Sequence, residues 1–533
     1  MPDNFSELLQ RNLIDLRYIL PEVMVCFTFL LALIFDFAVH HQRRRTTAYL
    51  CIVGLLIALW LNVQQHYGFM KSISNGVPEH HPVFSGMIFY DQFGNFFKFI
   101  ILLGTVISLL LSIHARELFG KNHGEFYLLL VSVCAGGMFL ASASNLLMIY
   151  LSIESLSIIS YAMAGYLRRD RKSAEAGIKY VIYGAMASGI MIFGMSYLYG
   201  MAGTLNLFDT PTMAKATAIV TEPSGGAKGI ATLILNFDNS FPASRGAMIA
   251  ILVLVFSGFL YKIAAVPFHY WSPDVYEGSP TTATGFFSVV PKAAGFAVLI
   301  RVLCAFFPLG HAPEKFFGYP SVESIVSVIA IATMFIGNLA ALGQTNAKRM
   351  LAYSSIAHAG YMLAGLSVLD DVAGPAAVLF YLVVYLFMNL GAFLVLVALE
   401  NLFGSCELKV LRGAVRREPV LVVALCVFLF SLTGLPPLAG FIGKYMIMVK
   451  LADRGHFGMV AAIGFNSVIS LYYYMKIAKV VAIDQPEEAI ASTERTPFSY
   501  NLLAVCKCVA LLLLFFNSTW LVELCQRVLE PLR

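Results

Sequence analysis

Apolar runs of about 20 residues recur from one end of the chain to the other, with mostly short polar connections between them. This length is what an α-helix needs to cross the hydrocarbon core of a membrane. The runs do not alternate apolar and polar residues, as the strands of a membrane β-barrel do. The pattern therefore predicts an all-α polytopic membrane protein that forms a single membrane domain, residues 1–533.

We count about fourteen membrane spans on this basis. Two connections are long, 65–90 and 203–245, and the second is predicted to be a surface excursion because it is rich in Gly, Thr, Ala and Pro. The predicted spans are 17–39, 46–64, 91–113, 124–142, 144–167, 174–202, 246–275, 280–307, 321–343, 348–368, 373–400, 419–450, 457–480 and 499–524.

Proline interrupts two of these spans near the depth of the membrane centre. The seventh span is broken at Lys262–Pro267 and the twelfth at Pro436 and Pro437, and each break has a lysine beside it. The two spans are five apart, so equivalent helices would cross the membrane in opposite directions. We predict two inverted five-helix repeats, 124–307 (spans four to eight) and 321–480 (spans nine to thirteen). Paired discontinuous helices are typical of transporters, whose binding sites lie at the membrane centre.

Composition supports the membrane class and excludes several others. The chain is 59% hydrophobic and 13% charged, and its mean hydropathy is +0.77. This is more hydrophobic and less charged than typical soluble domains. A net charge of +5 is small for 533 residues and gives no sign of nucleic-acid binding. The N-terminus lacks the basic region of a cleaved signal peptide, so we expect the first span to be retained. The nine cysteines are interpreted as small core residues.

Basic residues cluster in alternate loops and predict the orientation of the chain. About 18 Lys and Arg fall on one side and about 11 on the other, and the richer side is expected to be cytoplasmic. Both termini would then lie outside, on the periplasmic side. The clusters are Arg43, Arg44 and Arg45; Arg168, Arg169, Arg171 and Lys172; Lys348 and Arg349; and Arg412, Arg416 and Arg417.

Several ionisable residues lie inside predicted spans. A charge at the centre of a bilayer costs roughly 2.5 kcal/mol or more, so such residues are usually paired or functional. Glu154 in the fifth span and Lys262 in the seventh would relieve each other as an ion pair, either as a functional pair or as a static strut between helices.

Three further basic residues and a histidine form the rest of the candidate set. Lys292 lies mid-span after a proline, and Lys444 follows the second break, where snorkelling to the interface is the alternative. Lys179 is near the cytoplasmic end of its span and could be an interfacial anchor. His358 could be a hydrogen-bonded packing residue. A row of amines and an imidazole is nevertheless what a proton relay requires, since each member must accept and release a proton.

No pattern in the chain indicates redox chemistry. There is no Gly-rich phosphate loop after a strand, no cysteine set with iron–sulfur spacing and no haem-like histidine pair. A small cluster of His66, Glu79, His80 and His81 is interpreted as part of a solvated loop. We therefore expect neither a cofactor nor a metal in this chain.

Three long blocks of the sequence match a known pattern. The blocks are GFLYKIAAVPFHYWSPDVYEGSPTTATGFFSVVPKAAGF, QTNAKRMLAYSSIAHAGYML and SLTGLPPLAGFIGKYMI. They resemble the antiporter-like membrane subunits of respiratory complex I, and most of all its N-type subunits. The resemblance covers roughly residues 90–480, and the PDVYEG form and the lysine at the twelfth-span break favour the N type over the M type.

The resemblance implies a role for each candidate residue in proton transfer. Glu154 and Lys262 would be the coupled pair of the fifth and seventh spans, and Lys179 would modulate that pair. Lys292 would be the connecting lysine, His358 the tenth-span linker and Lys444 the terminal lysine; the full set is Glu154, Lys179, Lys262, Lys292, His358 and Lys444.

The resemblance also implies the setting. The chain would be a proton-translocating subunit of a multi-subunit NADH:quinone oxidoreductase in a bacterial inner membrane. Its partners would be a neighbouring antiporter-like subunit, small helical subunits and lipid, while other subunits bind quinone and NADH. The alternatives are a subunit of a cation/proton antiporter, a subunit of a ferredoxin-dependent relative of complex I, and a non-conducting spacer.

Overall fold

The computed structural model describes residues 12–38, 45–74, 81–118, 123–208, 229–234, 245–307, 322–369, 371–486 and 496–532. Helices account for nearly all of this structure. The α-helices of eight or more residues in these ranges are α1 (Leu20–Ala38), α2 (Arg45–Ser74), α3 (Gln92–Ser112), α4 (His123–Ser142), α5 (Leu146–Ala164), α6 (Arg171–Ala202), α7 (Arg245–Ile263), α8 (Trp271–Gly278), α9 (Thr281–Phe306), α10 (Val322–Leu342), α11 (Ala347–Gly365), α12 (Ala373–Phe403), α13 (Pro419–Thr433), α14 (Ala439–Asp453), α15 (Phe457–Ala482), α16 (Phe498–Phe516) and α17 (Ser518–Leu529).

Short elements occupy some of the connections. Strands β1 (His81–Val83) and β2 (Ile88–Tyr90) form an antiparallel hairpin in which Pro82 faces Phe89. The predicted long connection 65–90 therefore contains regular structure, because α2 continues to Ser74, well past the apolar run that ends near residue 64. The 3₁₀ turns are Leu16–Ile19, Phe84–Gly86, Arg116–Leu118, Ala414–Arg416 and Glu530–Leu532.

The all-α polytopic class is confirmed. Within the described residues, twelve helices are long and apolar enough to cross a membrane. The predicted count of fourteen is not confirmed, and the difference has two physical sources. The tenth predicted span, α11, carries Lys348, Arg349 and His358, which lower its hydropathy. The twelfth is divided into α13 and α14, each of 15 residues.

Both predicted helix breaks are present. The seventh span stops at Ile263 and resumes as α8 at Trp271, and the twelfth stops at Thr433 and resumes at Ala439. Free backbone groups at the breaks find partners: Val266 N donates to Thr333 Oγ1 at 3.1 Å, and Gly440 N to Ser431 Oγ at 3.3 Å. Such partners allow irregular backbone to persist at membrane depth. The inverted relation of the two repeats stays a prediction.

Helix α9 is the centre of the domain. Every residue from Thr281 to Phe306 is buried, including Lys292 and Arg301. The helix packs against α3, α4, α7 and α12, and α12 is itself almost wholly buried. A helix that is apolar on all sides is expected to be enclosed by other helices. Because α9 contacts helices of both predicted repeats, Lys292 lies deep in the protein.

Some sequence predictions fall outside the described residues. These are Arg43, Arg44, Glu79, His80 and most of the excursion 203–245.

Candidate functional site

Lys262 lies in the last turn of α7 and is 1% exposed. Its ammonium Nζ donates a hydrogen bond to Ser157 Oγ at 3.0 Å. Among the described residues it forms no ion pair, so the predicted direct contact with Glu154 is absent from this structure. Glu154 lies one turn before Ser157 on α5, and its Oε1 is buried without a hydrogen-bond partner in the part of the chain that the structure describes. Ser157 takes the contact because it follows Glu154 by three residues and shares the same face of α5.

Lys179 has different partners from those that its predicted role requires. Its Nζ contacts Asp274 Oδ2 at 2.5 Å and Glu175 Oε1 at 2.6 Å, and its side chain is 35% exposed. Asp274 belongs to α8, the short helix after the first break. The structure therefore places Lys179 in a salt-bridge cluster with α8, apart from the buried side chains described next.

Lys292 connects α9 to α11. It is 1% exposed, and its Nζ donates to both the carbonyl oxygen and the Oγ of Ser355, at 2.9 and 2.8 Å. Ser355 precedes His358 by three residues, so both lie on one face of α11. Lys292 is buried at mid-helix with its ammonium facing protein, which excludes snorkelling in this structure.

His358 is buried between two tyrosine hydroxyls. Nδ1 lies 2.7 Å from Tyr381 Oη, and Nε2 lies 3.1 Å from Tyr474 Oη. Tyr474 also shares a hydrogen bond with Ser354. A neutral imidazole donates from one nitrogen and accepts at the other, and a hydroxyl can do both. These contacts serve a packing histidine and a proton relay equally well.

Lys444 is held at the second break. It is 3% exposed, and its Nζ donates to the carbonyl oxygens of Leu432 and Thr433 at 3.1 and 2.9 Å. These carbonyls end α13, where the helix dipole favours a cation. Nζ also lies 4.3 Å from the centre of the Tyr361 ring and 3.4 Å from Ser467 Oγ. The ammonium points into the protein, so the snorkelling alternative does not apply to this structure.

Four of the candidate side chains follow one another through the protein. A Cβ atom added at Gly295 would lie 3.3 Å from Lys262 Cγ, so the Lys262 stem packs on α9 one turn beyond Lys292. Lys292 reaches Ser355, which is one turn from His358. Tyr361, a further turn along α11, contacts Lys444. We call this succession of Lys262, Lys292, His358 and Lys444 the buried line.

Sequence reasoning missed three buried charged features. Lys507 lies near the middle of α16, is 4% exposed and has no hydrogen-bond partner among the described residues. Lys98 and Glu22 form a buried ion pair at 2.5 Å. Arg301 is fully buried and binds Asp91 at 2.6 and 3.0 Å. Lys507, Lys98 and Arg301 all lie inside apolar runs. The criterion that selected Lys262, Lys292 and Lys444, a charged residue inside a predicted span, would therefore have found them.

Comparisons with known proteins identify the family. The family model described as "NADH:quinone oxidoreductase/Mrp antiporter, TM" matches residues 143–470. The chain belongs to this family. The match spans all six predicted site residues, from Glu154 to Lys444, and it confirms the resemblance deduced from the three sequence blocks.

Individual relatives and solved structures match almost the whole chain. The NADH-quinone oxidoreductase subunit N of Anaeromyxobacter sp. strain Fw109-5 is 39% identical over 530 residues, 97% of each chain. A chain of respiratory complex I from Thermus thermophilus is 28% identical with a TM-score of 0.72, over 94% of this chain and 98% of that one. A chain of the Mrp complex from Dietzia sp. DQ12-45-1b shares the fold, with a TM-score of 0.79 at 20% identity over 97% of each chain.

Proposed function

We propose that this chain is a proton-translocating, antiporter-like subunit of a multi-subunit NADH:quinone oxidoreductase. The observation that carries the proposal is the buried line, which connects the two helix breaks in a chain of this family. Quinone and NADH would bind to other subunits, and this chain would hold no redox centre. The setting would be a bacterial inner membrane, with both termini on the periplasmic side and a second antiporter-like subunit as a neighbour.

Protons would move along the buried line through hydroxyl groups that lie between its members. Ser355 connects Lys292 to α11, and Tyr381 and Tyr474 flank His358. A hydroxyl can accept one proton while releasing another, whereas a charged ammonium can only donate. Protons would enter from the cytoplasm near one repeat and leave on the periplasmic side past Lys444.

The proposed switch is the distance between Glu154 and Lys262. A carboxylate close to a buried ammonium stabilises the charged amine, and separation of the two favours loss of the proton to the next acceptor. In the structure Lys262 donates to Ser157, and Glu154, one turn before Ser157 on α5, makes no direct contact with Lys262. The proposed switch would be a movement of α5 or α7 that brings the carboxylate and the ammonium together or apart.

Lys262→Ala tests the proposal. In vesicles that contain the assembled complex, we expect the variant to lose coupled proton translocation while the amount of complex is unchanged. Lys409→Ala is the matched control, since Lys409 is an exposed lysine outside the membrane helices. Wild-type translocation by the Lys262→Ala complex would overturn the proposal.

A subunit of a multi-subunit cation/proton antiporter is the second candidate, because the matching family includes Mrp antiporters. A sodium requirement for transport, with no redox subunits in the purified assembly, would favour it. The subunits that co-purify also separate NADH from reduced ferredoxin as electron donor, since an NADH-binding flavoprotein would be present only with the former.

A further inference from the structure

A cluster of buried polar side chains lies beside the buried line, where α10, α11 and α15 meet. Its members are Asn338 on α10, Tyr361 on α11, and Asn466 and Tyr473 on α15. Each of these side chains is at most 1% exposed. Buried polar groups need hydrogen-bond partners, so the bonds within the cluster fix the direction in which each side chain points. We call this group the Asn338 cluster.

The amide of Asn338 is the centre of the cluster. Its Nδ2 lies 3.1 Å from Tyr361 Oη, 3.0 Å from Asn466 Oδ1 and 3.0 Å from the carbonyl oxygen of Met334. Its Oδ1 accepts a hydrogen bond from Tyr473 Oη at 3.0 Å. Because Tyr473 binds the amide oxygen, the NH₂ group is turned towards Tyr361. Two N–H groups serve three acceptors, so Tyr361 and Asn466 compete for the same donor.

Two glycines bring Asn338 and Tyr361 together. Gly337 and Gly360 precede them in the sequence and lie where α10 packs on α11. A Cβ atom at Gly337 would lie 2.6 Å from a backbone nitrogen of α11, and one at Gly360 2.7 Å from a backbone nitrogen of α10. Small residues of this kind let membrane helices approach closely. The close approach sets the distance over which the amide reaches the phenol.

The ring of Tyr361 contacts two members of the buried line. Its centre lies 4.3 Å from Lys444 Nζ and 5.6 Å from the centre of the His358 ring. The face of an aromatic ring attracts an ammonium group, most strongly where water is excluded. The direction in which this ring points therefore affects both residues of the last step of the buried line.

We propose that Asn338 is a positioning residue, whose amide binds the Tyr361 hydroxyl and thereby keeps the Tyr361 ring between His358 and Lys444. The inference rests on the proposed function, in which His358 and Lys444 are successive members of the buried line. A buried hydroxyl that loses its partner has to find another one. Because the phenol is rigid, the ring would turn with its hydroxyl, and the ammonium of Lys444 would lose the contact with the ring face.

The alternative is that the Asn338 cluster only holds α10, α11 and α15 together, as buried polar networks can. The two roles lead to different expectations. If the cluster serves packing alone, loss of the bond to Asn466 should matter as much as loss of the bond to Tyr361. If Asn338 positions Tyr361, only the bond to Tyr361 should matter for proton transfer.

Asn338→Leu and Tyr361→Phe, alone and combined, test the proposal. The measurement is the rate of proton translocation per amount of assembled complex in vesicles. We expect each single variant to lower this rate about fivefold, the effect of one hydrogen bond between neutral groups. Tyr361→Phe keeps the ring and removes only the hydroxyl. The double variant should be no slower than either single variant, because both substitutions remove the same contact.

Asn466→Leu is the matched control. Asn466 is as buried as Asn338 and binds the same amide, so the two leucine variants should lose similar amounts of Tm. Because Asn466→Leu removes a competitor for the NH₂ group, the bond from Asn338 to Tyr361 remains, and the rate of translocation should stay close to that of the wild type. If Asn338→Leu prevents assembly, Tyr361→Phe compared with Asn466→Leu decides the question.

Three results would overturn the inference: a wild-type rate for Asn338→Leu or Tyr361→Phe, effects of these two substitutions that add fully, or a loss of rate in Asn466→Leu as large as that in Tyr361→Phe. Lys262→Ala in the same set of vesicles separates this failure from failure of the proposed function. If Lys262→Ala translocates normally, the proposed function fails. If Lys262→Ala is inactive while Tyr361→Phe is normal, only the positioning role fails.

Discussion

The two helix breaks hold their lysines in different ways. At the second break, Lys444 binds two carbonyl oxygens that the end of α13 leaves free, and it faces the ring of Tyr361. At the first break, Lys262 has one hydroxyl partner, Ser157, and a carboxylate nearby on the same helix face. Both ammonium groups are buried, so the difference lies in their partners and not in their exposure.

The partners decide which lysine can be switched. Carbonyl oxygens at the end of a helix are fixed by the backbone, and they favour a cation in every state of the site. A side-chain hydroxyl and a carboxylate can rotate, and the carboxylate brings a full charge when it approaches. We infer that Lys262 is the switched end of the buried line and Lys444 the constant end.

The largest expected difference is in stability after each lysine is replaced by methionine. Lys444→Met leaves the Leu432 and Thr433 carbonyls buried without donors, and each unsatisfied group costs about 1–3 kcal/mol. Lys262→Met leaves the Ser157 hydroxyl, which can rotate to a backbone carbonyl of its own helix, and the Glu154 carboxylate, which has no direct contact with Lys262 to lose. Thermal unfolding of the purified subunit should therefore show a clearly lower Tm for Lys444→Met. Equal losses of Tm would contradict the comparison.

A smaller effect is expected when the hydroxyl partners are removed. Ser157→Ala takes away the partner of Lys262, and we expect proton translocation to fall about tenfold, since a hydrogen bond to a charged group contributes about 1.5–3 kcal/mol. Ser467→Ala is the matched control, because Ser467 is only a distant third partner of Lys444 at 3.4 Å. It should leave translocation nearly unchanged. If both variants behave alike, Ser157 has no special place at the switch.

Much of this picture could be predicted from the sequence. The length of the apolar runs indicated the helices, and Pro267, Pro436 and Pro437 marked the breaks because a proline in a helix interior removes a backbone hydrogen bond and commonly kinks or breaks the helix. Lys262, Lys292 and Lys444 were found because a lysine in an apolar run is expensive unless it has a role. The helices, the breaks and the burial of these three lysines follow from local sequence alone, which is why they could be predicted.

The partners could not be predicted in the same way. Ser157, Ser355 and Asp274 are ordinary residues in their own segments, and they matter only because helices far apart in the chain cross beside a lysine. The expected ion pair of Glu154 with Lys262 failed for this reason, since attraction between opposite charges does not say which side chain on the α5 face comes nearer. Roles in proton transfer for all six site residues stay predictions.

The smallest expected effect is on the pH dependence of stability, through the titration of Glu117. Glu117, in the 3₁₀ turn after α3, accepts hydrogen bonds from the backbone N–H groups of Thr281 and Thr282 at the start of α9. Burial, and then the nearby charge of Glu400, raise the pKa of Glu117 from 4.5 to about 7. Because the folded protein binds this proton more tightly than the unfolded chain, the stability that it contributes is complete below pH 4.5 and is lost as the pH rises to about 7.

Glu117→Gln removes this titration. The wild-type subunit should lose Tm between pH 5 and pH 7.5, and the variant should lose about 1–2 °C less, a small change because the Glu117 side chain is only half-buried. Glu523→Gln is the control, since Glu523 is an exposed residue on α17. A pH dependence of Tm that is the same in all three proteins would show that the pKa of Glu117 does not differ between the folded and the unfolded chain.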